Sequence, residues 1–152
     1  MEIIPFDSVY AEDFKNLNIA WLEKYFWVEP HDNEVLSQPE KYIIEPGGKI
    51  FLVKDEDQII GCVALMKIES GIFELTKMAI TPAYQGKKIG QSLMEHSIDF
   101  GKKQNWNHLI IYSNRKLENA VYIYEKYGFK EIPIEKDNPY ARGDIKLRFT
   151  FS

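Results

Sequence analysis

Residues 72–113 constrain the fold more than any other part of the chain. An apolar run, IFELTKMAI, passes through the turn TPAYQGKKIG into a segment in which Ile89, Leu93, Met94 and Ile98 recur at helical spacing, and the apolar HLIIYS follows. Strand, helix and strand in that order form a crossover unit, so the two strands are expected to run parallel with the helix on one face. The turn then lies beyond the carboxyl end of a strand, where sheets of this kind bind ligands. Its glycines allow close backbone approach, the helix start offers unpaired N–H groups to an anion, and Lys87 and Lys88 add positive charge. A solvated turn would have the same composition, so the stretch alone leaves both readings open.

Upstream, MEIIPF is expected to be a short strand. Asp7 or Ser8 then caps a helix on which Phe14, Leu17, Trp21, Leu22 and Tyr25 share a face. DNEVLSQPEKYII allows a second short helical region, interrupted or restarted at Pro39, and EPGGK reads as a loop. IFLVK and IIGCVALMKI flank the acidic turn DEDQ as a β-hairpin. Downstream, Leu117, Ala120, Ile123, Tyr124 and Tyr127 mark a further helix, stopped by Gly128 at the left-handed position of a C-cap. Phe129 opens a short strand and DIKLRFTF closes the set. The expected class is α/β, a mixed central sheet flanked by helices on both faces, in one domain over residues 1–152.

Composition narrows the function classes. A formal charge of -4 and a pI near 5.4 argue against a nucleic-acid partner and mildly favour a cationic one. No apolar run is long enough to cross a bilayer and MEIIPFDSVY has no basic flank, so no membrane partner and a cytoplasmic location are expected. Cys62, the only cysteine, sits inside IIGCVALM and is expected in the core of a protein from a reducing compartment. His31, His96 and His108 are widely separated and form no metal-ligand spacing, so no metal is expected. His96 is expected on the solvated side of its helix. His31 lies near the aromatic cluster Trp21, Tyr25, Phe26 and Trp27, which is expected to be mostly core, with one or two rings lining a pocket.

ELTKMAITPAYQGKKIGQSLM, followed by NAVYIYEKYGF, resembles the two signature blocks of the GNAT superfamily of acyl-CoA-dependent N-acetyltransferases. The first block is a strand, a phosphate-binding turn of pattern Gln/Arg-x-x-Gly-x-Gly/Ala, and a helix. The second is a helix ending in Tyr-x-x-x-Gly-Phe, matched by Tyr124, Gly128 and Phe129. The resemblance implies the GNAT fold, with its sheet splayed between the strands at 72–80 and 108–113, and acetyl-CoA as co-substrate. It places Gln85, Gly86, Lys87, Lys88, Ile89 and Gly90, with Gln91 behind them, on the coenzyme A pyrophosphate. Backbone groups of Met78, Ala79 and Ile80 fall along the pantetheine arm, and an N–H near Met78 or Ala79 polarises the thioester carbonyl. Two positions depart from the pattern. Lys88 stands where the family usually has glycine, so the turn must accept a Cβ. Leu117 stands where many members have asparagine, leaving Asn114 or Asn119 to contact the cofactor.

Acetyl transfer to an amine needs a neutral nitrogen, a polarised thioester and a proton for the departing thiolate. By resemblance Tyr124 is the general acid and Glu74 the general base. Tyr124 also fits a plain apolar helix face, and Glu74 also fits a strand-end carboxylate facing solvent. By period two Glu74 shares a face with Thr76, Met78 and Ile80, about 13 Å from Met78, so proton removal would run through ordered water. Direct transfer in a ternary complex is expected over an acyl-enzyme, since the single thiol is remote from the thioester. The alternative class is a non-catalytic acyl-CoA-binding regulatory module. A small-molecule or peptide amine is the expected acceptor, with a small amine, an amino acid, a peptide N-terminus and a protein lysine all left open by these residues. Tyr140, Arg142 and Asp144, just before the last strand, either contact it, meet a second subunit of a homodimer, or are surface charge.

Overall fold

Alternating apolar positions assemble one seven-stranded sheet in the computed structural model, which describes residues 1–152. Strands β1 (Glu2–Pro5), β2 (Lys49–Asp55), β3 (Gln58–Glu69), β4 (Ile72–Ile80), β5 (His108–Ser113), β6 (Lys130–Ile132) and β7 (Ile145–Thr150) stand in the order β1-β2-β3-β4-β5-β7-β6. β4 and β5 are parallel; every other neighbouring pair is antiparallel. β2 shows why two layers of helix form. Phe51 and Val53 point to one core with α3 (Ile89–Lys103) and α4 (Glu118–Lys126), while Ile50 and Leu52 point to the other with α1 (Ala11–Tyr25) and α2 (Pro30–Ser37). The mixed sheet with helices on both faces is therefore observed.

Local chemistry sets the helix ends. Asp7 caps not α1 itself but a 3-10 turn, Ser8–Tyr10, that leads into it, accepting from the Val9 N–H at 3.0 Å. Pro39 ends the α2 region and opens a π-helical turn over Glu40–Ile44. α4 closes with Gly128 at φ +102, as Phe129 N–H donates to the Tyr124 carbonyl at 3.1 Å and Gly128 N–H to that of Glu125 at 3.0 Å. Both bonds belong to the left-handed C-cap expected there.

A bulge in β4 corrects one expectation. Cys62 faces Ala79 and Ala64 faces Thr76, so Val63 opposes both Lys77 and Met78, and Lys77 takes φ +55. Phe73 and Leu75 before the bulge, and Met78 and Ile80 after it, all pack toward α3, whereas Ala79 packs toward α1. The alternation slips by one, so Glu74 and Met78 lie on opposite faces of the strand rather than on the same one.

Pairing between β4 and β5 covers only Ile72–Glu74 against His108–Ile110. Beyond it β4 stays with β3 to Ile80, and β5 stays with β7 to Ser113. The two strands diverge toward their carboxyl ends and leave a gap in the middle of the sheet.

Candidate active site

That gap opens into a cavity of about 560 Å³. Its walls include Leu75 to Ile80 from β4 and Ile111 to Asn114 from β5 and the turn after it, with Asn119 and Tyr124 from α4. Strand separation leaves the β5 side of β4 beyond Glu74 without a neighbouring strand, and Met78, Ala79 and Ile80 line the cavity there.

The turn after β4 starts at this wall. Gln85 lines the cavity and its Nε2 donates to the Ile80 carbonyl at 3.1 Å. Gly86 has φ +81 with open space where a Cβ would stand, so conformation rather than crowding requires glycine. A Cβ on Gly90 would sit 3.4 Å from Met78 Sδ; glycine here brings α3 close to the strand. Lys88 is the N-cap of α3 at φ 61, ψ 23, inside the small left-handed well that a side chain can enter at modest cost. The family position that lacks its glycine is thus left-handed all the same. The first helical carbonyl bond runs from Ser92 N–H to Lys88, so the N–H groups of Ile89, Gly90 and Gln91 have no helical acceptor. The Ile89 side chain belongs to the core, which leaves only its backbone for a ligand. Lys87 Nζ lies 5.0 Å from the Tyr84 ring, and the Gln91 amide oxygen accepts from Tyr127 Oη at 3.3 Å.

Tyr124 is half-buried beside Phe129, with ring centroids 6.2 Å apart, and lines the cavity. Burial pushes its phenol up to about 12, so it holds its proton at neutral pH.

Glu74 lies behind the cavity wall, 7% exposed, and does not itself line it. Tyr140, which does line it, donates from its hydroxyl to Glu74 Oε2 at 2.6 Å, and Thr76 Oγ1 is 3.3 Å from the same hydroxyl. Burial raises the Glu74 carboxyl above the ordinary range, against the Tyr140 hydrogen bond and the charge of Lys77. Burial and the Glu74 charge together push the Tyr140 phenol well up. The solvent-facing alternative for Glu74 is excluded by this burial.

Arg142 holds the segment carrying Tyr140 in place. Its Nη1 reaches Glu29 Oε2 at 2.6 Å and Asp32 Oδ2 at 2.8 Å, and its Nη2 reaches Asp32 Oδ1 at 2.9 Å. Burial alone would raise the Asp32 carboxyl, but the hydrogen bonds from Arg142 and the Glu29 N–H, with the charges of Arg142 and Lys77, hold it below its usual value. Asn114 serves the same segment. Its Nδ2 donates to the Arg142 carbonyl at 2.7 Å and its Oδ1 accepts from Lys116 N–H at 3.0 Å, whereas Asn119, which lines the cavity as Asn114 does, has no such tie to that segment. Asp144 accepts from Arg115 N–H at 2.8 Å and anchors the segment from outside the cavity.

Other expected residues divide. Trp21, Tyr25 and Phe26 line the cavity, but Trp27 is exposed and His31 lies outside it. His96 is not on the solvated side of its helix: its ring packs edge-on against Phe51 at 4.5 Å, and burial lowers its pKa. His108 Nδ1 meets Thr150 Oγ1 at 3.2 Å. Cys62 is fully buried in the core, with its thiol pushed up to about 12 by burial. The link of Tyr140 to Glu74 and the clamp of Arg142 on Asp32 and Glu29 carried no signal in the sequence beyond the position of these residues before the last strand.

A family model described as an acetyltransferase (GNAT) domain matches residues 46–131, more than half of the chain. The chain belongs to the GNAT acetyltransferase family. It is an acyltransferase of the N-acetyltransferase type. An N-acetyltransferase of Schizosaccharomyces pombe is 26% identical over 133 residues, covering 84% of this chain and 81% of the relative. The GNAT fold is shared with an acetyltransferase from Staphylococcus aureus at TM-score 0.86 and 21% identity, over 98% of both chains. PaiA N-acetyltransferase from Thermoplasma acidophilum, solved in complex with coenzyme A, has TM-score 0.76 and 19% identity over 99% of this chain and 98% of its own.

Proposed function

We propose that this GNAT enzyme moves an acetyl group from acetyl-CoA to a primary amine of a small molecule or peptide, directly and within a ternary complex. The observation that carries the reading is the gap between β4 and β5. It exposes β4 backbone beyond Glu74 in one cavity lined by Met78, Ala79 and Ile80, by Gln85 at the head of the turn into α3 and by the protonated Tyr124. The coenzyme A held by the Thermoplasma neighbour supports the same donor here.

In this reading the N–H groups of Ile89, Gly90 and Gln91, with Gly86, Lys87 and Lys88, hold the pyrophosphate at the positive end of α3. Backbone groups of Met78, Ala79 and Ile80 pair with the pantetheine arm, and the N–H at Met78 or Ala79 polarises the thioester carbonyl. Tyr124 protonates the leaving thiolate. Glu74 takes the amine proton through the Tyr140 hydroxyl, which accepts from the cavity side as it donates to Glu74. Asn119, rather than Asn114 with its tie to the Arg142 carbonyl, contacts the cofactor. Cys62, buried away from the cavity lining, takes no acyl group.

Calorimetric titration with acetyl-CoA, beside a Gly86→Asp, Gly90→Asp double variant, tests the reading. Micromolar binding that the variant loses is expected. A folded wild-type protein that binds no acetyl-CoA would overturn it.

A further inference from the structure

Apart from Lys77, the charged groups that line the cavity each have a hydrogen-bonding partner or face water. Asp32 is bidentate with Arg142, whose Nη1 also reaches Glu29. Glu74, behind the wall, is capped by Tyr140. Lys116 gives its Nζ to the Tyr25 carbonyl at 2.9 Å and lies 4.0 Å from the Phe26 ring centroid. Glu118 is exposed on the first turn of α4, where water screens it.

Lys77 is different. It lines the cavity at the β4 bulge, with Nζ 5.5 Å from the Tyr140 ring centroid, and forms no salt bridge and no side-chain hydrogen bond. The left-handed bulge is what places this residue, next in sequence to Met78, between the buried Glu74 side and the open gap. A desolvated ammonium without a partner is costly, so the site gains when an anion arrives. Burial lowers the Lys77 pKa; the charges of Glu74 and Asp32 oppose this and that of Arg142 adds to it. A carboxylate beside Nζ would oppose that lowering, as the charges of Glu74 and Asp32 do.

We infer that the acceptor is an amino-acid-like amine, with a carboxylate a few bonds from the reacting nitrogen, and that Lys77 binds that carboxylate. The inference rests on the acetyltransferase reading and goes beyond it by naming the acceptor class. It reverses the cationic acceptor that net charge favoured. Net charge sums over the whole surface, whereas the buried carboxylates at this cavity already have their donors.

The test uses the full chain with acetyl-CoA and matched acceptor pairs, amino acids against their carboxamides, with spermidine as the cationic control. Initial rates give kcat and KM, and calorimetry with the coenzyme-A-loaded protein gives binding of the same compounds. The carboxylate member of a pair is expected to win by about 10-fold or more in kcat/KM, mainly through KM, the scale of one charge-assisted contact. Lys77→Met removes the preference and Lys77→Arg keeps it, with melting temperatures confirming that both variants fold. A preference for carboxamides or spermidine overturns the inference. So does a carboxylate preference that survives Lys77→Met, or no response to any carboxylate by either readout. If acetyl-CoA itself fails to bind, the acetyltransferase reading falls first and this inference with it. If it binds while the carboxylate results fail, only this inference falls.

Discussion

The phenol of Tyr140 donates to Oε2 of Glu74 across 2.6 Å, joining the segment before β7 to the paired part of β4. This bond links a carboxylate that does not line the cavity to a hydroxyl of a residue that does. Tyr140→Phe removes the donor that lowers the Glu74 pKa and leaves burial, which raises it, unopposed by that bond. If Glu74 accepts the proton through Tyr140, the acid limb of the pH profile of kcat/KM moves to higher pH and kcat falls on the order of 10²-fold. Loss of the buried bond costs about 1–3 kcal/mol of stability, read in a denaturant titration.

Glu74→Gln separates catalysis from stability. The folded carboxyl ionises above its unfolded value, so the unfolded chain loses its proton first and wild-type stability falls as pH rises through that window. The glutamine variant lacks this term. Its melting temperature is expected to gain on wild type from about pH 4.3 upward, where an unfolded glutamate ionises, while activity drops. Melts taken at stepped pH check the sign: an advantage that shrinks as pH rises would contradict a raised Glu74 pKa.

Tyr124→Phe is expected to lower kcat on the order of 10²-fold while acetyl-CoA affinity holds, because the ring and its packing remain. With its pKa pushed up to about 12, Tyr124 stays protonated across the working range. No alkaline loss of activity below about pH 11 should therefore depend on this residue. Rate profiles of the two proteins, compared above pH 8, read this directly.

Arg142→Met leaves Asp32, 2% exposed, without its bidentate partner. Breaking a buried pair from one side costs about 3–5 kcal/mol. The depressed Asp32 pKa stabilises the fold above the unfolded value, and that contribution is lost as pH falls through the folded value. Acid unfolding of wild type should carry this loss below about pH 4, and in the variant that part of the slope should disappear. Urea titrations at pH 7 and pH 3 measure both effects.

Lys88→Gly is expected to move stability and affinity in opposite directions. The residue sits at φ 61, where glycine is free of the Cβ penalty, so the variant gains about 0.5–1 kcal/mol, a few degrees of melting temperature. Removing the charge at the start of α3 weakens acetyl-CoA binding several-fold at low salt and less at high salt. Calorimetry at two ionic strengths distinguishes a phosphate contact from a lysine that only shapes the turn.

Much of this molecule was legible in its sequence because the signals are local. The crossover from IFELTKMAI through α3 to HLIIYS, the stop at Gly128, the turn at Gln85 to Gly90 and the core position of Cys62 each depend on spacing or composition within a short window. Period-two reasoning failed at Lys77, because a bulge is a relation between two strands, two residues opposing one, and β4 alone does not show it. The same holds for the partners of the candidate base. Tyr140 meets Glu74 across 66 residues and Arg142 meets Asp32 across 110. Sequence by itself determined which elements form and which residues could carry charge or a proton. Only the tertiary structure decided which charges neutralise each other and which one is left facing the cavity. Desolvation and pairing act through space, and the chain brings those groups together only when the sheet and both helical layers have closed around them.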